Sequence, residues 1–172
     1  FETIGFFRSD YFLCYDDMEF CWRARVAGFN LGLVRDSICH HKYEFTDRLS
    51  RLYYFQRNRL LTWLTLPKLG TILLIAPCWM ISELVLSGYL ISKGHGAVQW
   101  QVAKYFLRRG TWRKIGHRRR LLRALRTRPD SCIVRHFTSQ IAFAEIDGFL
   151  LRHVCNPFLR LYWAAVRHLI VW

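Results

Sequence analysis

Acidic residues are scarce in this chain of 172 residues. Twelve Asp and Glu stand against 26 Lys and Arg, which gives a formal net charge of +14 at pH 7. No acid at all occurs between positions 102 and 128, although eleven Lys and Arg lie there. A charge excess of this kind predicts an anionic surface as partner, either a membrane or a nucleic acid.

The cysteines lack the spacing of a metal site. None of the six forms a Cys-x-x-Cys pair, so the pattern of a zinc knuckle is missing. They stand in apolar contexts, which favours reduced core residues over disulfides and indicates a reducing compartment. Internal repeats and low-complexity segments are also absent.

The positive charge is concentrated in the second half of the chain. Residues 1–50 hold six basic and eight acidic side chains, whereas residues 93–172 hold sixteen and three. The first part of the chain is therefore nearly neutral, and the last part is strongly basic.

Three carboxylates are packed into four residues near the start, at Asp16, Asp17 and Glu19. Acids in a first helical turn interact favourably with the positive end of the helix dipole. Glu19 and Arg23 are four residues apart and can pair on one helix face. The pattern predicts a helix over 16–27, and from spacing alone the acids can equally be ordinary charges of its first turn.

The predicted helix is followed by a glycine and a short apolar run. Gly28 suits the position just after a helix, because glycine takes positive φ without strain. The segment 31–40 is predicted to be a buried strand that ends in His40 and His41. Ligands bind at the carboxyl ends of strands in open α/β sheets, and a histidine there, with carboxylates from elsewhere, suits Mn²⁺ or Mg²⁺.

An ordered series of short motifs runs through the first 60 residues. The order is aromatic, acidic, tryptophan–arginine, glycine and histidine, with tyrosines before Arg-Asn further on. The motifs are Gly5-Phe6-Phe7, Tyr11-Phe12-Leu13-Cys14-Tyr15, Asp16-Asp17-Met18-Glu19, Cys21-Trp22-Arg23-Ala24-Arg25, Ala27-Gly28, His40 and Tyr53-Tyr54-Phe55-Gln56-Arg57-Asn58-Arg59.

This series resembles the C-terminal part of the catalytic domain of family 2 glycosyltransferases, the rhamnosyltransferase-like inverting enzymes. Asp16 stands where that family usually has Glu, and Glu19 where it usually has Asp, so each charge is kept but moved by one methylene. The family's N-terminal half would carry nucleotide-binding βαβ units and an Asp-x-Asp metal motif, and no Asp-x-Asp occurs here. We therefore expect the chain, which begins at Phe1 within the pattern, to be a fragment that lacks much of its donor site.

The resemblance implies a fold and an activity. The expected fold class is α/β, with the C-terminal part of a GT-A nucleotide-sugar-binding domain over 1–48. A helix and an apolar membrane-associating segment would follow over 49–92, and a basic amphipathic helical region over 93–172. The expected reaction moves a sugar from a nucleoside-diphosphate sugar to a hydroxyl of a glycan or lipid-linked acceptor, with inversion.

The resemblance also implies roles for individual residues. Asp17 would be the general base, supported by Asp16 and Glu19, and His40 would bind the divalent metal, with His41 as the fallback. The substrate-binding residues would be Tyr15, Trp22, Arg23, Arg57 and Arg59.

The segment 49–66 has helical spacing and is followed by Pro67, which ends or kinks a helix. Arg57 and Arg59 lie within it. Guanidinium forks suit phosphate oxygens, so both are candidates to approach a diphosphate. The alternative is an ordinary solvated or interfacial helix face.

The segment 69–92 is the most apolar run, and its length is sufficient to span a bilayer. Pro77 and Glu83 interrupt it, and a carboxylate near the bilayer centre costs about 2.5–3.5 kcal/mol. One spanning helix, two shorter interfacial segments and a buried helix of a soluble protein all remain open.

The basic run 102–128 interleaves cations with Leu, Ile and Trp, which is typical of a membrane-surface helix. Nucleic acid is the alternative partner, but no nucleic-acid-binding motif accompanies the run, so none is expected. The positive-inside tendency then indicates the cytoplasmic face of a membrane.

Two rival functions remain, a basic nucleic-acid-binding protein and a non-catalytic membrane-associated protein. The cations expected to meet anionic headgroups are Lys104, Arg108, Arg109, Arg113, Lys114, Arg118, Arg119 and Arg120.

Overall fold

The computed structural model describes residues 2–40, 48–141, 149 and 151–172. The chain divides into two compact units, one formed by Phe1–Leu66 with Trp100–Arg128 and the other by Pro67–Gln99 with Pro129–Trp172. The elements in chain order are a 3-10 turn at Ser9–Tyr11, α1 (Asp16–Val26), α2 (Arg48–Thr65), α3 (Leu69–Ser92), α4 (Gly96–Leu107), α5 (Arg109–Leu125), α6 (Ser131–Val134), a π-helical turn at Leu151–Cys155 and α7 (Asn156–Val166).

Every regular element in the described part of the chain is helical, so the expected α/β fold of the GT-A type is wrong. The predicted strand over 31–40 has no regular structure apart from a turn at 35–36, and all its residues are exposed. A strand needs a neighbouring strand to pair its backbone N–H and C=O groups. The described residues provide no such neighbour, and the short apolar run around Leu33 therefore stays in solvent.

The helix expected around the acidic motif is confirmed, and α1 begins at Asp16. Its end has the geometry of a Schellman motif. Gly28 has φ of +98°, its N–H donates to the carbonyl of Arg25, and the N–H of Phe29 donates to the carbonyl of Ala24. A side chain at Gly28 would also collide with Thr127, which lies 2.7 Å from the position of a Cβ atom.

The helix expected before Pro67 is also confirmed, and α2 is the central helix of the first unit. Four consecutive residues of α2, 56–59, are all buried. Because four successive positions point around the whole circumference of a helix, α2 is covered on every side at this level. The residues of this unit's core that cluster around α2 are Tyr11, Leu61 and Ile115, with Tyr15, Leu64 and Phe106 packed against them.

The second unit is organised around α3, which keeps its helical conformation through Pro77. The buried carboxylate of Asp130 accepts a hydrogen bond from the backbone N–H of Lys68, just before α3, at 2.6 Å. The indole of Trp172 donates to Thr71 Oγ1 at 2.9 Å, and the hydroxyl of Tyr162 donates to the carbonyl of Leu74 at 2.8 Å. The C-terminal residues therefore pack on the first turns of α3.

An ion-pair cluster links the 3-10 turn of the first unit to α5. The carboxylate of Asp10 accepts from Lys114 Nζ at 3.2 Å and forms a shorter contact with Arg118 Nη2. Partial burial alone would raise the pKa of Asp10, but the two cations outweigh it and the net shift is downward.

This pairing predicts an acid-dependent loss of stability. Because the folded-state pKa of Asp10 is lowered, its contribution is present above the unfolded value of 3.8 and disappears as the pH falls through the folded-state pKa. We expect Asp10→Asn to lower the free energy of unfolding at neutral pH but not at the acid end, measured by urea denaturation across pH. Glu2→Gln, at an exposed acid, is the control and should show no such pH-dependent difference; equal effects of both variants would contradict the assignment.

Candidate functional site

The loop that leads into α1 has an unusual backbone. Three residues other than glycine have positive φ, namely Phe12 at 56°, Cys14 at 63° and Tyr15 at 64°. Side chains with a Cβ atom disfavour this region, so each such residue is held there by its surroundings. The acids Asp16 and Asp17 follow immediately, and the loop therefore decides where these two carboxylates lie.

A buried amide holds this loop in place. Asn58 of α2 is fully buried, and its Nδ2 donates to the backbone carbonyls of Tyr11, Leu13 and Cys14, each at 2.8 Å. The side-chain amide has only two hydrogens, so three acceptors require that at least one hydrogen be shared. One side chain thus provides a donor to three backbone carbonyls of the loop.

Arg57 completes the same support from the other side of the amide. Its Nε and Nη2 donate to Asn58 Oδ1 at 2.9 and 2.7 Å, which orients the amide nitrogen towards the loop. Its Nη2 also donates to the carbonyl of Asp10. The guanidinium lies 4.7 Å from the ring centroid of Tyr54 and within 5.5 Å of those of Tyr53 and Tyr105. Arg57 was predicted to approach a diphosphate, but in the structure it is buried and its donors are directed at acceptors within the protein.

Asp16 and Asp17 are the carboxylates of the motif that solvent reaches. Asp17 is exposed and Asp16 is half-buried. Asp17 Oδ1 accepts from the backbone N–H of Met18 at 2.7 Å, which restricts the orientation of the carboxylate at the start of α1. Both groups lie in the first turn, where the helix dipole favours negative charge.

Glu19 has a different environment from its two neighbours. It is 1% exposed and forms a bidentate pair with Arg23, with both N–O distances at 3.0 Å, which confirms the expected pairing. Arg8 Nε donates to the same carboxylate at 2.8 Å. Arg23 also donates to the carbonyls of Ile4 and Phe6. Glu19 and Arg23 thus tie the N-terminal residues to α1, and neither is carried into the mechanism proposed below.

The other substrate-binding candidates take part in packing within the first unit. The ring of Tyr15 meets that of Phe55 edge-on at 5.3 Å, and Trp22 meets Trp63 in the same way at 5.5 Å. Arg59 Nη2 donates to Gln56 Oε1 at 2.7 Å, and both residues are buried. Only Tyr15 among these candidates borders the acids directly and is partly open to solvent.

The thiols beside the acids are kept protonated. Burial raises the pKa of both Cys14 and Cys21, and the carboxylate of Asp17 acts on both in the same direction. A thiolate nucleophile is therefore disfavoured here, and the carboxylates are the basic groups of the site.

His40 lies in the exposed segment that follows α1, and His41 falls outside the described residues. The part of the chain that the structure describes contains no group of three or more His, Cys, Asp or Glu side chains placed to hold a metal ion. The metal-binding role of His40 stays a prediction, and no step below passes through a metal.

Sequence reasoning gave no role to Asn58 or Asp10. Asn58 is part of the Arg-Asn motif, but a motif does not tell which side chain points to which loop. Nor could spacing show that Asp10 meets α5, because the two are more than a hundred residues apart. Comparison of the chain with protein-family models, with curated proteins and with solved structures found no match.

The support of the loop by Asn58 can be tested with one isosteric change. Asn58→Asp replaces the donating nitrogen with an oxygen that faces three carbonyl oxygens. We expect the free energy of unfolding to fall by about 2–4 kcal/mol, measured by urea denaturation. Asn30→Asp is the matched control, because the exposed Asn30 already accepts from Arg128 through Oδ1 and should change stability by no more than about 0.5 kcal/mol. Equal losses would show that Asn58 does not have this role.

Proposed function

We propose that this chain is part of an inverting glycosyltransferase that moves a sugar from a nucleoside-diphosphate sugar to a hydroxyl of a glycan or lipid-linked acceptor. The observation that carries the proposal is the placement of Asp17. It belongs to the motif that resembles the family's acidic pair, it is exposed, and it follows a loop whose unusual backbone is fixed by a buried amide. A carboxylate held in this way can act on a substrate that arrives from solvent.

The proposed step needs one basic group from this chain. The acceptor oxygen attacks the anomeric carbon from the face opposite the diphosphate, and the bond between that carbon and the diphosphate oxygen breaks. The proton of the acceptor hydroxyl passes to the carboxylate of Asp17, and the nucleoside diphosphate leaves with the bonding electrons. Attack from the opposite face inverts the anomeric configuration. The neighbouring Asp16 lies in the same first turn of α1 and is half-buried.

We further propose that α3 attaches the protein to a membrane, on its cytoplasmic side. By length and composition α3 can cross a bilayer, although the core helix of a soluble protein can meet the same test. One side of α3 packs within its own unit, through Thr71, Ile75, Leu86 and Leu90. The opposite stripe is apolar and exposed, at Leu69, Leu73, Met80, Leu84 and Ile91.

The charge that interrupts α3 has a local partner. Glu83 Oε1 accepts from the indole N–H of Trp79, one turn earlier, at 2.8 Å. A hydrogen-bonded carboxylate is less costly to bring near lipid than a bare one. The exposed stripe repeats at intervals of four and seven residues, so it lies along one face of the helix, which suits contact with acyl chains.

The role of Asp17 is tested in the protein expressed from its complete open reading frame, by release of nucleoside diphosphate from a panel of nucleotide sugars. We expect Asp17→Asn to lower kcat by about 10²–10⁴-fold, with little change in KM and only a small fall in Tm, because the exposed carboxylate contributes no more than a helix-terminus charge to folding. Turnover close to that of the wild type would refute the assignment.

Glu19→Gln is the matched control, with the same loss of one negative charge in the same turn. It leaves the buried Arg23 without its ionic partner, and breaking such a pair costs about 3–5 kcal/mol of stability. We therefore expect a much larger fall in Tm for Glu19→Gln than for Asp17→Asn, measured by thermal unfolding. If Asp17→Asn also unfolds the protein, the loss of turnover has a structural origin.

Membrane attachment through α3 is tested by fractionation. We expect the protein to sediment with membranes, to remain there at 1 M salt, where the Debye length is about 3 Å, and to be released by detergent. Leu73→Asn with Leu84→Asn, in the exposed stripe, should weaken retention, whereas Ala103→Asn with Ala124→Asn, at exposed positions of α4 and α5, should not. Recovery of the wild type in the soluble fraction without detergent would return α3 to the core of a soluble protein.

A further inference from the structure

The corner at which α4 meets α5, residues 104–113, carries exposed apolar side chains among cations. Leu107 is 74% exposed and Trp112 is 52% exposed. A single exposed apolar side chain is ordinary, but here the apolar side chains lie within one corner and are surrounded by cations. The exposed cations of this corner are Lys104, Arg108, Arg109 and Arg113.

The corner has a defined geometry of its own. Trp112 Nε1 donates to the carbonyl of Phe106 at 2.8 Å, and Thr111 Oγ1 donates to that of Tyr105 at 2.6 Å. These carbonyls belong to the last turn of α4, where helical partners are missing. The first turn of α5 is thereby fixed to the end of α4, so a partner need not order the corner when it binds.

In the part of the chain that the structure describes, no carboxylate pairs with the exposed cations of the corner. No acid occurs between positions 93 and 129. Asp10 pairs with Lys114 and Arg118, which removes these two from the set expected to meet lipid.

We propose that this corner docks on an anionic lipid bilayer. Leu107 and the ring of Trp112 enter the boundary between headgroups and acyl chains, and the four cations contact lipid phosphates around them. Apolar area and charge attraction act together at such an interface. The inference does not rest on the proposed sugar transfer, and it names a contact separate from α3.

The apolar side chains favour lipid over nucleic acid as the partner. Phosphates of either kind attract the four cations equally well. An exposed leucine, however, gains nothing from a sugar-phosphate backbone, whereas at a bilayer surface it leaves water for acyl chains. Leu107 is the most exposed apolar side chain of the corner, so its contribution to binding distinguishes a lipid partner from a nucleic acid.

The test is flotation of the full chain with vesicles of phosphatidylcholine alone or mixed with phosphatidylglycerol, at low salt. The measured quantity is the ratio of partition into anionic over neutral vesicles, because insertion of α3 contributes to both and cancels. Each cation near an anionic surface strengthens binding by about fivefold. We therefore expect Arg109→Glu with Arg113→Glu to lower the ratio by about tenfold or more.

Two further variants separate the corner from general effects. Arg135→Glu with Arg167→Glu makes the same change in net charge at exposed cations of the other compact unit and should leave the ratio nearly unchanged. Leu107→Asn keeps every charge and should reduce the fraction of binding to anionic vesicles that persists at high salt. Circular dichroism of each variant checks that the helices are intact.

Three results would overturn the proposal. One is an equal fall in the ratio for both charge-reversal pairs, which would mean that only net charge matters. Another is an unchanged ratio for the Arg109 and Arg113 pair with its helices intact. The third is displacement of the chain from anionic vesicles by a single-stranded RNA oligonucleotide with no effect of Leu107→Asn, which would assign the corner to nucleic acid. Failure of α3 to insert would instead appear as weak binding of the wild type to neutral vesicles.

Discussion

The amide of Asn58 is the contact on which the arrangement of the acidic motif depends. A loop with three non-glycine residues at positive φ is unfavourable by itself, and three of its carbonyls point towards the buried amide of Asn58. One buried side chain supplies the donors, and Arg57 fixes which way that side chain faces. The position of Asp17 thus depends on α2, although α2 contributes no carboxylate of its own.

Local features of this region were readable from the sequence because they depend on a few neighbouring residues. The start of α1 follows from the preference of acids for a first helical turn, its end from the ability of Gly28 to take positive φ, and the pairing of Glu19 with Arg23 from a spacing of four. The helix before Pro67 follows from its periodicity and from proline chemistry. Each of these predictions depends on neighbouring residues in the sequence and not on the tertiary contacts of the helix.

Features that depend on distant residues were not readable. The segment 31–40 has the composition of a strand, but a strand exists only with a partner, and the described residues offer none. Arg57 and Arg59 were predicted to approach a diphosphate because guanidinium forks suit phosphate oxygens. Their burial comes from the covering of α2 on all sides, and their donors go to acceptors of the protein itself. The guanidinium groups thus bind oxygen atoms of the protein instead of phosphate oxygens.

Some cations of the basic run 102–128 bind oxygen atoms of the protein, and others are exposed to solvent. Arg119 donates to the carbonyl of Leu64, and Arg126 to that of Leu66, at the C-terminal end of α2. Carbonyls there have lost their helical partners and lie at the negative end of the dipole, where a cation stabilises the helix. Part of the charge excess is therefore structural and explains why α5 packs on α2. Among the described residues, no backbone carbonyl accepts from the side chains of the corner cations in this way, so these cations retain the capacity to bind an anionic surface.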